Sequence, residues 1–129
     1  HQFDRLTLRF RRQIMAALTA MSSKSLRESI IDWVKLLSSK EAQIDFEKSA
    51  AGDLAGDELV EVWYGNYHPE TFLHKRAFSQ EETEALDDFH RKFDSCASEL
   101  PTRLADLHKT KEWPEIMQSA KEVLSKCGW

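Results

Sequence analysis

FSQEETEALDDFHRKFDSCASELP, residues 78–101, opens on Ser79 and places Glu82 three residues later. That spacing is a capping box. The serine side chain accepts from the third helical N–H, and the glutamate reaches back to the serine's own N–H. Behind it, Leu86, Phe89, Phe93, Cys96 and Leu100 step by three or four residues and form one apolar face. Pro101 then ends the helix, because it has no N–H to donate. Downstream, the stretch from Arg103 to His108 offers one or two turns. Trp113, Ile116, Met117, Ala120, Val123, Leu124 and Cys127 make a last helix, with Pro114 in its first turn and Gly128 closing it.

The same periodicity runs upstream. Phe3, Leu6, Phe10, Ile14, Leu18 and Met21 predict a helix over residues 3–21. A break at Ser22, Ser23, Lys24 and Ser25 follows. Ser25 with Glu28 forms a second capping-box spacing, and Leu26, Ile30, Trp33, Val34 and Leu37 carry a helix to about Ser39. Residues 40–48 read as a short helix, and residues 49–56 (SAAGDLAG) as a loop. Asp57 is the expected cap for a helix through Leu59, Val60, Val62, Trp63 and Tyr64 that stops at Gly65. The run is rich in β-prone residues, but no second strand is available to pair with it, so helix is expected. Residues 65–78 (GNYHPETFLHKRAF) contain the Gly, Asn and Pro of a long loop.

With 129 residues, 4 Gly and 3 Pro, the chain has too few turn residues for an all-β protein. No apolar run reaches the ~18 residues of a membrane span. The expected architecture is all-α, a single-domain bundle of five or six helices spanning residues 1–129. Cys96 and Cys127 fall in no metal-ligand spacing and read as reduced thiols of a cytoplasmic protein. Arg5, Arg9, Arg11 and Arg12 interrupt any signal-peptide core at the start.

Charge is distributed unevenly. Arg5, Arg9, Arg11 and Arg12 against Asp4 give residues 1–20 a balance of +3. Asp53, Asp57, Glu58 and Glu61, with no cation, give residues 49–64 a balance of -4. Glu81, Glu82, Glu84, Asp87, Asp88, Asp94 and Glu99 against Arg91 and Lys92 give residues 79–100 a balance of -5. A net charge of -4 disfavours general nucleic-acid binding, which needs clustered cations.

The chemistry-bearing residues form few recognisable patterns. His68, His74, His90 and His108 show no paired spacing. Asp87 and His90 are helix-spaced but lack the facing Glu-x-x-His of a di-metal bundle. There is no GxSxG elbow and no phosphate loop after a strand. Glu58-x-x-Glu61 followed by Glu84-x-x-Asp87 resembles the paired acidic helices of all-α NTP pyrophosphohydrolases. That resemblance implies Mg²⁺ held by these four carboxylates against a nucleotide. Glu84 lies about 200° around the helix from Leu86, however, and so faces away from the core stripe. Arg5, Arg9 and Arg12 share a face and offer a second alternative, a nucleic-acid adaptor. Pairing with the acidic middle of the chain is the simpler expectation.

Trp63, Tyr64, Tyr67, Phe72 and Phe78 crowd beside the acidic residues. An aromatic patch with acidic neighbours suits a binder of a basic protein. From Leu59 to Leu124 the chain also resembles a known group. The marks are Leu59…Trp63…Tyr67-x-Pro69, Phe78-Ser79-x-x-Glu82-x-x-Ala85-Leu86-x-x-Phe89, Leu100-Pro101 and Trp113…Ala120…Leu124. These resemble small helical bacterial immunity proteins of polymorphic-toxin and contact-dependent growth inhibition systems, over about half the chain. The resemblance implies a cytoplasmic, non-enzymatic protein that neutralises a cognate toxin domain, often a basic nuclease. From the residues themselves, which offer no ligand motif and no long apolar run, no cofactor, metal or membrane partner is expected. The resemblance transfers no functional residue, because such proteins diverge at the binding surface. The binding face expected from this sequence is Asp53, Asp57, Glu58, Glu61, Glu81, Glu82, Asp87 and Asp88, with Trp63, Tyr64 and Tyr67 as anchors.

Overall fold

The computed structural model describes residues 22–51 and 54–129. The expected helix over residues 3–21 therefore lies outside the described residues, as does Asp53. Among the described residues there are seven α-helices and no strand. They are α1 (Ser23–Ser38), α2 (Lys40–Phe46), α3 (Ala55–Asn66), α4 (Phe72–Ala77), α5 (Gln80–Cys96), α6 (Leu104–Leu107) and α7 (Glu112–Cys127). A π-turn, Glu47–Ala51, extends α2, and a 3₁₀ turn, Ala97–Glu99, extends α5. The all-α reading holds. The helix count exceeds the expected five or six because α4 forms inside the stretch read as a loop.

The ends of α5 and α7 form as their sequences dictate. Ser79 Oγ accepts from the Glu82 N–H at 3.1 Å, and Glu82 Oε1 accepts from the Ser79 N–H at 2.9 Å. Gly128 closes α7 with φ +69, the only positive φ among the described residues. A side chain there would be strained, and the turn lets the Trp129 N–H reach the Leu124 carbonyl at 2.9 Å.

Three helix ends differ from expectation, each for a local reason. α1 starts earlier, because Ser22 and not Ser25 is its cap. Ser22 Oγ accepts from the Ser25 N–H at 3.1 Å, which leaves Glu28 outside any capping box. α3 starts at Ala55 without a side-chain cap. Asp57 is not the cap: the helix begins two residues before it, and in that first turn its N–H donates to the Thr102 carbonyl at 3.1 Å. This close approach needs Gly56, where a Cβ would lie 2.7 Å from that same carbonyl oxygen. At its other end α3 runs through Gly65 and Asn66, with the Tyr67 N–H on the Trp63 carbonyl at 3.0 Å. α4 is nucleated by Thr71, whose Oγ1 accepts from the His74 N–H at 3.3 Å.

α1 is the central element. Leu26, Ile30, Val34 and Leu37 form its buried face, packed chiefly on α7 and α4. Leu86, Phe89 and Phe93 form the buried face of α5, and the ring of Trp63 from α3 meets Phe89 edge-on at 4.9 Å and Phe93 at 6.2 Å. Trp33 ties α1 to its neighbours, donating from Nε1 to the Leu59 carbonyl at 3.3 Å and meeting Phe46 edge-on at 5.6 Å.

A polar hub is set into this core. Gln43 of α2 is fully buried. Its Nε2 donates to the carbonyls of Leu36 at 3.0 Å and Leu37 at 3.2 Å, the open C-terminal end of α1. Its Oε1 accepts from Trp113 Nε1 at 3.0 Å and lies 2.7 Å from His108 Nε2. With Trp113 donating, His108 Nε2 carries a proton and donates as well. Gln43→Leu keeps the volume but takes a partner from four groups, of which the Leu36 carbonyl keeps the Ser39 N–H. At about 1–3 kcal/mol for a buried group left unpaired, with partial relaxation, the expected loss is about 2–4 kcal/mol. Urea unfolding measures it as a lower midpoint with an unchanged m-value.

Candidate protein-binding face

α5 distributes its acidic side chains to three sides, and each side uses them differently. Glu82 turns inward. Its carboxylate takes two bonds from Arg27 of α1, NH1 to Oε1 and NH2 to Oε2, both 2.8 Å. NH1 also donates to the Ala77 carbonyl at 2.8 Å. The guanidinium lies 5.4 Å from the Phe78 ring centroid and 5.6 Å from that of Trp129. The Arg27 bonds hold the Glu82 carboxyl down at about 2, against the opposing effect of burial.

A second side faces α3. The Tyr67 hydroxyl donates to Asp87, the Tyr64 hydroxyl donates to Asp94 at 2.5 Å, and Trp63 Nε1 donates to His90 Nδ1 at 3.1 Å. Burial first, then the adjoining carboxylate, pushes both tyrosine hydroxyls up, so they remain donors.

The third side is open. Glu81, Glu84 and Asp88 are exposed and follow i, i+3, i+7, one stripe of the helix. With Ser79, Glu82 and Ala85 they form one wall of a groove. Lys126 and Cys127 from the end of α7 form the other. Asp88 also pairs with Arg91.

The expected binding residues therefore separate. Glu81 and Asp88 stand on the open stripe. Asp57, Glu58 and Glu61 are half-buried on α3, and burial pushes the Asp57 carboxyl up. Glu82 and Asp87 are half-buried and engaged by Arg27 and Tyr67. Two anchors are corrected. Trp63 is 0% exposed and Tyr67 5%, stacked on each other at 4.8 Å, so both belong to the core. The reason is the continuation of α3 past Gly65, which puts Leu59, Trp63 and Tyr67 on one inward face at steps of four. Tyr64 remains half-buried.

Two residues named in the sequence lie outside the expected binding face. Phe72, first residue of α4, is 84% exposed and is the aromatic ring most open to solvent among the described residues. Its exposure depends on α4, which the loop reading did not contain. Glu84 was considered only as a metal ligand, although its spacing from Glu81 and Asp88 was visible. The four carboxylates Glu58, Glu61, Glu84 and Asp87 are not assembled. Among the described residues no three His, Cys, Asp or Glu side chains are grouped to hold a metal ion. Arg5, Arg9 and Arg12 lie outside the described residues. Cys96 and Cys127 are free and half-buried, and burial pushes both thiols up. No described helix is long and apolar enough to cross a membrane.

No protein family, curated protein or solved structure matches the chain. The residues themselves carry the functional argument.

The Arg27–Glu82 pair sets an acid dependence. Glu82 has a lowered carboxyl in the fold, so its contribution is complete above about 4.5 and is lost as pH falls towards about 2. Wild type is expected to exceed Glu82→Gln by about 1–2 kcal/mol at neutral pH, given partial solvent screening. The gap should close across that acid window. Urea unfolding of both proteins as a function of pH measures it, and a constant gap would refute the assignment.

Proposed function

We propose that this chain is a protein-binding module of the bacterial immunity type, acting in the cytoplasm to neutralise a basic toxin domain such as a nuclease. The observation that carries the reading is the open stripe Glu81, Glu84 and Asp88 along α5. Its charges stand in solvent beside a groove, while the neighbouring acids Glu82, Asp87 and Asp94 are held by internal donors. Repulsion among like charges on one helix face is relieved when a cationic surface docks there, and the field also speeds encounter. The half-buried acids of α3, Asp57, Glu58 and Glu61, add to that field. Tyr64 and the exposed ring of Phe72 supply apolar contact. Inhibition follows from covering the toxin's substrate channel, with no bond made or broken in this chain. The resemblance to immunity proteins supports the same reading.

The test pairs the chain with a toxin domain encoded immediately upstream of it. Co-expression should restore growth. Glu81→Lys, Glu84→Lys and Asp88→Lys together should slow association at least about tenfold at low salt and weaken rescue, with helicity unchanged. The lack of a toxin reading frame there, or equal rescue and association by the charge-reversed protein, would overturn the proposal.

A further inference from the structure

His74 is the outlier of the core. Its side chain is 1% exposed, and its Nδ1 is the one buried side-chain polar atom without a hydrogen-bond partner among the described residues. Nε2 meets only the neutral Thr83 hydroxyl, at 3.3 Å. Tyr67 stands edge-on to the imidazole at 5.4 Å and Phe78 lies against it at 4.9 Å. A neutral ring fits this box: with the proton on Nε2, Thr83 accepts it and Nδ1 carries only a lone pair. A protonated ring does not, because Nδ1 would then hold a buried N–H with no acceptor and a charge with no direct counterion.

The charged surroundings do not supply one. Asp87 of α5 and Glu70 of the α3–α4 loop favour the cation, but Asp87 already accepts from Tyr67 and Glu70 is exposed beside His68. His68 opposes the cation. His90 lies on the Tyr67 ring at 5.0 Å. From α1, Arg27 brings a positive charge to Ala77 and Phe78. Lys75 and Arg76 of α4 itself are exposed. Burial dominates this balance and lowers the His74 imidazole from its usual value.

The element that carries His74 is short. α4 has six residues, and only His74 and Ala77 of them are buried. It is held by the Thr71 cap, the bond from Arg27 to the Ala77 carbonyl, its packing on α1 with Leu73 half-buried against the core, and the contact of His74 with Thr83 of α5. A segment this short opens as a unit while the rest of the bundle stays folded.

We infer that α4 is an acid-released flap, in which protonation of His74 frees the segment 68–78 and uncovers the rings of Tyr67 and Phe78. The open form binds the proton at the ordinary value of 6.5 and the closed form only at lower pH. Closure is therefore complete above that value and is lost progressively below it.

Hydrogen exchange of the full chain, corrected for intrinsic rates, tests this at the amides of Lys75 and Phe78, which bond to the Thr71 and His74 carbonyls. From about pH 7.5 to about pH 5 their protection should fall about tenfold or more, while amides of α7 stay protected. His74→Phe, which keeps an aromatic ring but cannot titrate, should abolish the pH dependence. NMR titration of the wild-type His74 ring gives a readout that does not depend on a variant folding. Protection of α4 independent of pH, loss of α7 protection at the same pH, or an imidazole that titrates at its ordinary value with α4 still closed would each overturn the inference. Acid sensitivity from His108 would instead appear in α2 and α6, where that ring meets Gln43, and not in α4.

Discussion

Arg27 joins α1 to α4, to α5 and to the C-terminal Trp129. Its two bonds to Glu82 link α1 to the first turn of α5. Its third bond secures the last residue of α4, and its face meets the rings of Phe78 and Trp129. Glu82 is simultaneously the third residue of the capping box. The carboxylate that starts α5 is thus the one that orients it on α1. A planar fork suits this work, since a lysine could not bind two carboxylate oxygens and a carbonyl while lying against two rings. The pair is partly solvent-exposed, so screening moderates what it adds to stability.

At the far end of α1 the buried amide of Gln43 performs the matching task. Arg27 secures the N-terminal half of the helix and Gln43 satisfies its last carbonyls, so the central helix is fixed at two points by polar groups and along its length by apolar ones. Both devices are fully partnered, which is the condition under which polar groups belong in a core. His74 departs from that condition. One unsatisfied nitrogen on a six-residue helix marks where this bundle departs from the rule followed by its other polar contacts. Departures of this kind concentrate where a structure moves.

What could be read in advance was local. The Ser79–Glu82 box and the Gly128 stop are short-range signals, and α5 and α7 formed within a few residues of their expected ends. The start of α3 could not be read, because its donor is satisfied by Thr102, a residue far along the chain. The Gln43 hub was equally hidden, since its partners His108 and Trp113 are 65 and 70 residues away. Trp63 and Tyr67 were misplaced for a different reason. The sequence pattern places a stop at Gly65, but glycine inside a helix costs only about 1 kcal/mol and burial of two large rings outweighs it. The Leu59–Trp63–Tyr67 spacing already carried the inward face.

The acidic face shows how a charge count changes meaning once partners are known. Residues 79–100 carry seven acids and two bases. Glu82, Asp87 and Asp94 are committed to Arg27, Tyr67 and Tyr64, and Asp88 is shared with Arg91. A carboxylate that accepts a phenol keeps its charge while losing part of its freedom to move. The tyrosines therefore hold Asp87 and Asp94 in place as fixed sources of negative potential beside the open stripe of Glu81, Glu84 and Asp88. α5 itself carries six of the seven, and six mobile acids would repel one another and spread their charge over many rotamers. With Asp87 and Asp94 pinned on the α3 side and Glu82 held by Arg27, fewer of these charges are free to move, and those least restrained stand on the open stripe.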